Sequence, residues 1–399
     1  MWRQTKTLTG SCNALKLRRS KSLTLKCRGA GRPFSAAAVR ALLARGVAKG
    51  AFPGAVARWG RPGVWVRTVS AGRRGLTRNR GPATADLVYD LASLTKILAT
   101  TSLALIFFSR GWLDLDQPLA ESPLAPPPHA REIAGLTPRH LLAHQSGLRP
   151  WRPFHALGGP PAGRRALALE ALWGEIPMAG PGEAAIYSDL NFLLLGFLLE
   201  EIGGAPLDIL FDRELAGPLG LTGTGFKPGP GLSLAPTEDG FRYGGPIGTA
   251  TLKGPTPLGR AHDDNAAWLG GVAGHAGLFA PAAGVWAIAG DWARAWRRGR
   301  GLVFERPALA EFLRPFPGRA GPGRPLGFNR PDAAAIATWS EAAVGHLGYT
   351  GASLWWDPDR DFLWLLLTNR VHPSAMNQAW RDYAWGPEGF GRSGVKPWS

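Results

Sequence analysis

The sequence predicts an α/β (α+β) fold: an antiparallel sheet formed from both chain ends with flanking helices, plus a mostly helical inserted middle region. Three observations predict it. Two strand pairs joined by tight turns read out at opposite ends of the chain, over Ala55–Val69 and Gly351–Leu367. An amphipathic helical run precedes the first pair. Between residues 93 and 300 apolar residues recur at helical spacing, separated by loops rich in proline and glycine. The predicted sheet part is 33–92 with 301–385, the helical part is 93–300, and the folded domain runs over 33–390.

Residues 1–32 form a basic extension, short of large apolar side chains, and disorder is expected there. The net charge of +17 belongs to this end of the chain. Residues 1–85 carry 19 of the 46 Lys and Arg and no acid, while the other 27 face 29 acids. The body is therefore near neutral, and nucleic acid is not expected as a partner. No apolar stretch resembling a secretory signal is legible, so the expected location is cytoplasmic by default, with export open if the true start lies elsewhere. An acid-free, Arg- and Ser-bearing leader also fits a transit peptide. Both cysteines, Cys12 and Cys27, fall in the extension, which leaves the body no disulfide, thiol nucleophile or cysteine metal site. No apolar run reaches 18 residues, so no membrane span is expected.

Ser35 to Lys49 reads as a helix with Val39, Leu42, Leu43 and Val47 on one face. Ala55–Trp59, a turn at Gly60–Gly63 and Val64–Val69 then read as a hairpin. A strand-like run, Leu87–Leu91, leads into Ser93-Leu94-Thr95-Lys96. The following helix carries Leu94, Ile97, Leu98, Leu105 and Phe108 and ends near Gly111. Ser93 then sits at a helix start, with Lys96 one turn on along the same face. The positive dipole end and partial burial would lower the lysine's pKa, making it a base beside a nucleophile.

Ser-x-x-Lys alone arises by chance about once in a chain of this size, and Ser393–Lys396 is a second match in a glycine-rich tail. Composition distinguishes the first. The chain has nine lysines against 37 arginines, and arginine cannot act as a base.

Leu136–Leu148 reads as a short helix closed by Gly147, with His140 and His144 four apart; both are read as structural rather than as metal ligands. His262-Asp263-Asp264-Asn265 is read as a turn. Tyr187-Ser188-Asp189 precedes the apolar helix Phe192–Leu199, and a tyrosine near a Ser/Lys pair can relay a proton. Gly345-His346-Leu347-Gly348-Tyr349-Thr350-Gly351 enters the second strand pair, where glycines let another backbone approach closely.

Taken in order, Ser93–Lys96, Tyr187–Asp189 and His346–Gly348 resemble the three motifs of the serine beta-lactamase-like superfamily. That superfamily includes class C beta-lactamases, D-alanyl-D-alanine carboxypeptidases and related esterases. Leu136–Leu148, Gly270–Phe279 and Leu366–Pro373 look like its flanking signatures, and the likeness spans about residues 35–385. The resemblance implies a serine hydrolase in which Ser93 forms an acyl-enzyme, Lys96 helps deprotonate it and Tyr187 shuttles protons. It implies an oxyanion hole from the N–H groups of Ser93 and Tyr349, the latter just past Gly348, and neither metal nor organic cofactor.

Two positions depart from the family pattern. Asp189 replaces the usual asparagine and could pair with Lys96, raising its pKa and leaving Tyr187 as the working base. His346-Leu347-Gly348 replaces Lys-Thr-Gly, so the hydroxyl is missing and any charge depends on pH. The expected substrate is a small ester or amide: ester first, peptidoglycan-derived peptide second, beta-lactam third. A silent binding domain of the same fold is the rival reading.

Overall fold

Helix α1 (Ala36–Ala48) starts at Ser35, whose hydroxyl accepts the Ala38 N–H at 3.1 Å. This N-cap satisfies one of the donors that a helix start leaves open. The structure, a computed structural model, describes residues 35–239, 241–243, 250–252, 254–319, 321–331, 339–375 and 379. The 1–32 extension with Cys12 and Cys27, and the Ser393–Lys396 match, lie outside the described residues.

Strands β1 (Gly54–Arg61) and β2 (Trp65–Gly72) form the first hairpin, in register from Gly54 opposite Gly72 to Arg61 opposite Trp65. In the middle region a π-wound segment, Lys96–Thr101, runs into α2 (Ser102–Ser109). There follow α3 (Pro138–Leu142), α4 (Asp189–Gly203), α5 (Asp264–Trp268) and α6 (Ala282–Arg298). Near the end come β3 (Val344–Leu347), β4 (Ser353–Asp357) and β5 (Phe362–Thr368). The five strands make one antiparallel sheet in the order β3-β4-β5-β1-β2, so β1 pairs with β5 across the length of the chain. This is the fold class that the sequence predicts.

The sheet is covered on both faces because β1 alternates between two apolar clusters. Ala55, Ala57 and Trp59 pack with Val39, Leu42 and Leu43 of α1. Val56 faces the larger core, where α6 lies, with Trp292 and Trp296 against Trp356 of β4 at ring distances of 6.4 and 6.1 Å. Helix α4 is apolar nearly all round and correspondingly buried from Leu190 through Leu199. Each of its leucines stabilises the fold by about 1.5–3 kcal/mol on burial.

Two local expectations need correction. The Leu87–Leu91 run forms a strand only at Tyr89–Asp90, because the chain turns at Ala92. His140 and His144 do not share a helix face. Helix α3 ends at Leu142 and His144 takes a left-handed φ of 56°, which turns its ring away from the helix and into the interior.

Candidate active site

Ser93 is presented by a strained turn. Ala92 carries a φ of 46° without being glycine, a conformation that costs on the order of 1–3 kcal/mol and persists where its surroundings enforce it. The Asp90 carboxylate enforces it by accepting the Ala92 N–H at 2.8 Å and the His262 N–H at 2.7 Å. Thr95 closes the other side, donating its hydroxyl to the Ala92 carbonyl at 2.7 Å and accepting the Leu278 N–H at 3.1 Å. Ser93 stays half-buried while the residues around it are sealed.

Lys96 is completely buried. Its ammonium donates to Ser93 Oγ at 3.1 Å, Asp189 Oδ1 at 2.7 Å and the His275 carbonyl at 3.2 Å. The π-wound turn aims it: Ser102 Oγ donates to the Ile97 carbonyl and Thr100 Oγ1 to the Gly274 carbonyl. Such widened turns cluster at functional sites. The glycines of the 270s stretch permit the approach from the other side. A Cβ on Gly274 would collide with the Phe192 carbonyl, and one on Gly196 would lie 3.1 Å from Gly274.

The expected downward shift of the Lys96 pKa is corrected by this geometry. Burial does pull the ammonium down, but the charges and hydrogen bonds of Asp189 and Tyr187 outweigh it, and the net shift is upward. The lysine is therefore a held cation. A helix-dipole effect is worth about 0.3–1 kcal/mol, too little to reverse a buried ion pair at 2.7 Å.

Tyr187 and Asp189 reach the same point through the start of α4. Ser188 caps that helix, accepting the Leu190 N–H at 3.2 Å and donating to the Arg149 carbonyl at 2.6 Å. The Tyr187 ring lies 4.7 Å from His144 and 5.7 Å from His346, with Lys96 Nζ 5.0 Å from its centroid. Burial raises the phenol pKa above its ordinary value, against the opposing charge of Lys96.

His346 is brought to the site, though not as a pH-dependent cation. Burial first, then the positive charges of Lys96 and Arg324, hold its pKa down to about 3, so the ring is neutral across the working range. Its Nδ1 donates to the Leu347 carbonyl at 2.7 Å, which leaves Nε2 a buried acceptor without a partner among the described residues. Gly348 meets the Ser93 turn directly: a Cβ there would stand 2.5 Å from the Leu91 carbonyl. Thr350 Oγ1 donates to the Asp90 carbonyl at 2.7 Å, so the Gly348–Gly351 loop is fastened beside Ser93. The Tyr349 side chain points outward and stacks on His262 at 5.6 Å.

Sequence reasoning missed several residues that the fold brings here. Asp263 accepts from His275 Nε2 at 2.9 Å, and its carboxyl is held below the usual range: burial opposes this, but the charge and hydrogen bond of His275 prevail. His144 Nδ1 accepts the Ser188 N–H at 3.1 Å under the tyrosine ring. Arg324 acts on Tyr187, His144 and His346 together. The singled-out runs 262–265 and 270–279 contained Asp263 and His275, but nothing in the sequence said that the two runs meet. Asp189, Asp263 and His275 place their ligand atoms within 4.8 Å of one another, and the cation standing on Asp189 is the Lys96 ammonium.

The family model described as Beta-lactamase matches residues 39–385. A protein of Escherichia coli O157:H7 named "Putative D-alanyl-D-alanine carboxypeptidase" is 31% identical over 309 residues, covering 73% of this chain and 70% of its own. Among solved structures, EstCE1, titled a hydrolase with promiscuous acyltransferase activity, superposes with a TM-score of 0.63 at 23% identity, covering 88% of this chain and 97% of its own. The unliganded simvastatin synthase of Aspergillus terreus gives 0.63 at 19% identity, covering 86% and 94%.

Proposed function

The chain belongs to the Beta-lactamase family, and on that premise we propose that it is a serine hydrolase acting on an ester or amide through a Ser93 acyl-enzyme. The observation that carries the reading is the Ser93 Oγ–Lys96 Nζ contact of 3.1 Å beneath a half-open nucleophile turn, with the Tyr187 ring centroid 5.0 Å from the same ammonium.

The roles follow from which groups can move a proton. Ser93 Oγ attacks the substrate carbonyl, forming the Oγ–C bond. Lys96, held as an ammonium by Asp189, cannot accept the serine proton; its charge instead favours negative charge on the Tyr187 oxygen. Tyr187 takes the proton from Ser93 and passes one to the departing oxygen or nitrogen as that bond breaks. In the second half the same oxygen takes a proton from the attacking water and returns one to Ser93 Oγ as the Oγ–acyl bond breaks, which frees the acid product and restores the serine. The Ser93 and Tyr349 N–H groups receive the developing oxyanion. The neighbouring Ala92 and Leu94 N–H groups are already bonded to Asp90 and the Leu91 carbonyl.

His346 and Leu347 give no permanent cation and no hydroxyl donor, which supports an esterase or peptidase-like activity over efficient beta-lactam turnover. The name of the Escherichia coli relative supports a peptidoglycan-derived peptide as the amide substrate. Intact-mass measurement after exposure to a fluorophosphonate, and separately to a penicillin, tests the assignment. One fluorophosphonate adduct is expected on the unaltered protein and none on Ser93→Ala. An adduct that survives Ser93→Ala overturns the reading.

A further inference from the structure

We propose that the end of the sheet opposite Ser93, the β1–β2 hairpin tip with the arginine-rich turns beside it, is a docking surface for an anionic lipid bilayer.

The strand register separates the two ends. Leu347 opposite Ser353, Ser353 opposite Leu366 and Ala55 opposite Thr368 mark the end that carries the Gly348–Gly351 loop and Ser93. Arg61 opposite Trp65 and Asp357 opposite Phe362 mark the other. The hairpin closes there and presents apolar side chains to water: Val64 is 64% exposed and Val66 44%. The tip is fastened to α6. Arg297, in the last turn of that helix, donates to the Pro62 carbonyl and to Asp361 Oδ1, each at 2.7 Å, and Arg61 donates to Asp361 Oδ2 at 2.7 Å. A Cβ on Gly290 of α6 would lie 3.8 Å from Pro62, and the next residue, Asp291, holds the N–H of exposed Leu302 at 2.7 Å.

The charge around these apolar side chains is positive. Over the turns 61–67, 297–300 and 357–361 six arginines meet three aspartates, and Glu305 pairs with Arg300 at 3.6 Å. Arg67 and Arg298 stand exposed with no ion pair among the described residues. Helix α1 brings more charge to the same end. Its last turn lies at the site end, where a Cβ on Gly72 would meet Val47, and from there the helix covers Ala57 and Trp59. Its first residue therefore lies toward the tip, about 18 Å from Val47 at 1.5 Å per residue. Residues 1–34, with nine Lys and Arg and no acid, join the fold at that point.

Basic side chains with exposed apolar ones among them fit the surface of an anionic bilayer. Its headgroups attract the arginines, and its acyl boundary takes Val64 and Val66 out of water. A nucleic acid would use the charge and leave the valines hydrated. Attachment at this end leaves the Ser93 turn facing away from the lipid.

Co-sedimentation of the full chain with phosphatidylcholine vesicles, with and without phosphatidylglycerol, tests the proposal. The unaltered protein is expected to bind the anionic vesicles at least about 10-fold more tightly than the neutral ones at ~0.1 M salt, and to leave them at ~1 M. Val64→Ser with Val66→Ser is expected to weaken that binding by about 10-fold, the scale of lost apolar burial. Arg67→Glu with Arg298→Glu is expected to weaken it by about 10-fold or more. All four positions are exposed, so the melting temperature is expected to hold in both variants. An unaltered protein that stays off the anionic vesicles overturns the proposal, a readout that needs no variant to fold. Undiminished binding by the serine variant overturns the hairpin tip as the docking surface, and tighter binding to duplex DNA at the same salt overturns the lipid.

Discussion

Lys96 Nζ lies 2.7 Å from Asp189 Oδ1, with the lysine side chain wholly buried and the carboxylate nearly so. One residue thereby changes how the site can work. An asparagine at 189 would offer an amide oxygen to Lys96 and leave its pKa to burial, which lowers it. The carboxylate reverses the sign, so the lysine becomes a fixed charge, and in the proposed mechanism the proton traffic falls to Tyr187.

Asp189→Asn should therefore restore titration to Lys96. With the ion pair gone, burial dominates, the ammonium loses its proton more readily, and the acid limb of the kcat/KM profile should move down by about one unit or more. Stability should fall at the same time, by up to about 3 kcal/mol, since one member of a buried pair is removed. A pH–rate series with an aryl ester checks this. An acid limb that stays in place would show that Lys96 and Asp189 do not control the proton-accepting group.

Tyr187→Phe and Lys96→Arg separate the two roles. The first removes the shuttle and should lower kcat by about 10²–10⁴-fold with little change in KM. The ring contacts with His144 and His346 remain, so the melting temperature should hold. Lys96→Arg keeps a charge but drives a larger group between the Tyr187 and Phe192 rings, whose centroids lie 5.0 and 5.7 Å from Nζ. It should lose activity and melting temperature together. Wild-type turnover by Tyr187→Phe would return the base to lysine.

Much of this was legible before any coordinates. The sheet could be paired because each hairpin carries its own turn signal and alternation, and such signals are local. Ser93, Lys96 and Tyr187 could be found because residue type and spacing carry the chemistry, and the Lys96–Asp189 pairing because Asp189 is unusual for its motif. Arg324 could not be found. It lies in a stretch of glycine, proline and arginine without periodicity, and only the Asn329–Gly345 bridge brings it to β3. His144 is structural, as its residue run suggests, but it shares no helix face with His140, for a related reason. Four-residue spacing implies a shared helix face only while the helix continues, and the left-handed turn at His144 breaks it.

Gly348→Ala tests the oxyanion position. Its Cβ would press on the Leu91 carbonyl from 2.5 Å, and both are backbone-anchored, so the loop carrying the Tyr349 N–H must shift from Ser93. Losing one such donor costs about 10²–10³-fold in kcat. Fluorophosphonate labelling and ester turnover should both slow, while substrate binding, judged by KM, changes less. Unchanged kcat would place the oxyanion donor elsewhere.

Acid stability gives a test of the buried histidines that is independent of substrate. His346 is held at about 3 and His144 well below its ordinary value, both first by burial and then by nearby positive charge from Lys96 and Arg324. Unfolded, each returns to about 6.5. Above that value both states are neutral at these positions and the fold is at full strength. Below it the unfolded chain binds protons that the folded one refuses, so stability falls with pH until the folded values are reached. The expected slope is about 1.4 kcal/mol per pH unit for each histidine. Asp263, depressed in the fold, adds its own loss only below about pH 3.8, its ordinary value. Lys96, raised in the fold, contributes no slope until pH rises past its ordinary value of 10.5. Urea unfolding at pH 7, 6 and 5 should show a steep decline, to which His140 and His372, also lowered by burial, add their share, and His346→Gln should make the decline shallower by about 1.4 kcal/mol per pH unit. A midpoint that stays level over that range would mean that His346 and His144 take up protons in the folded protein. Their rings would then be cations beside Tyr187, and the third motif would again have a charge of its own.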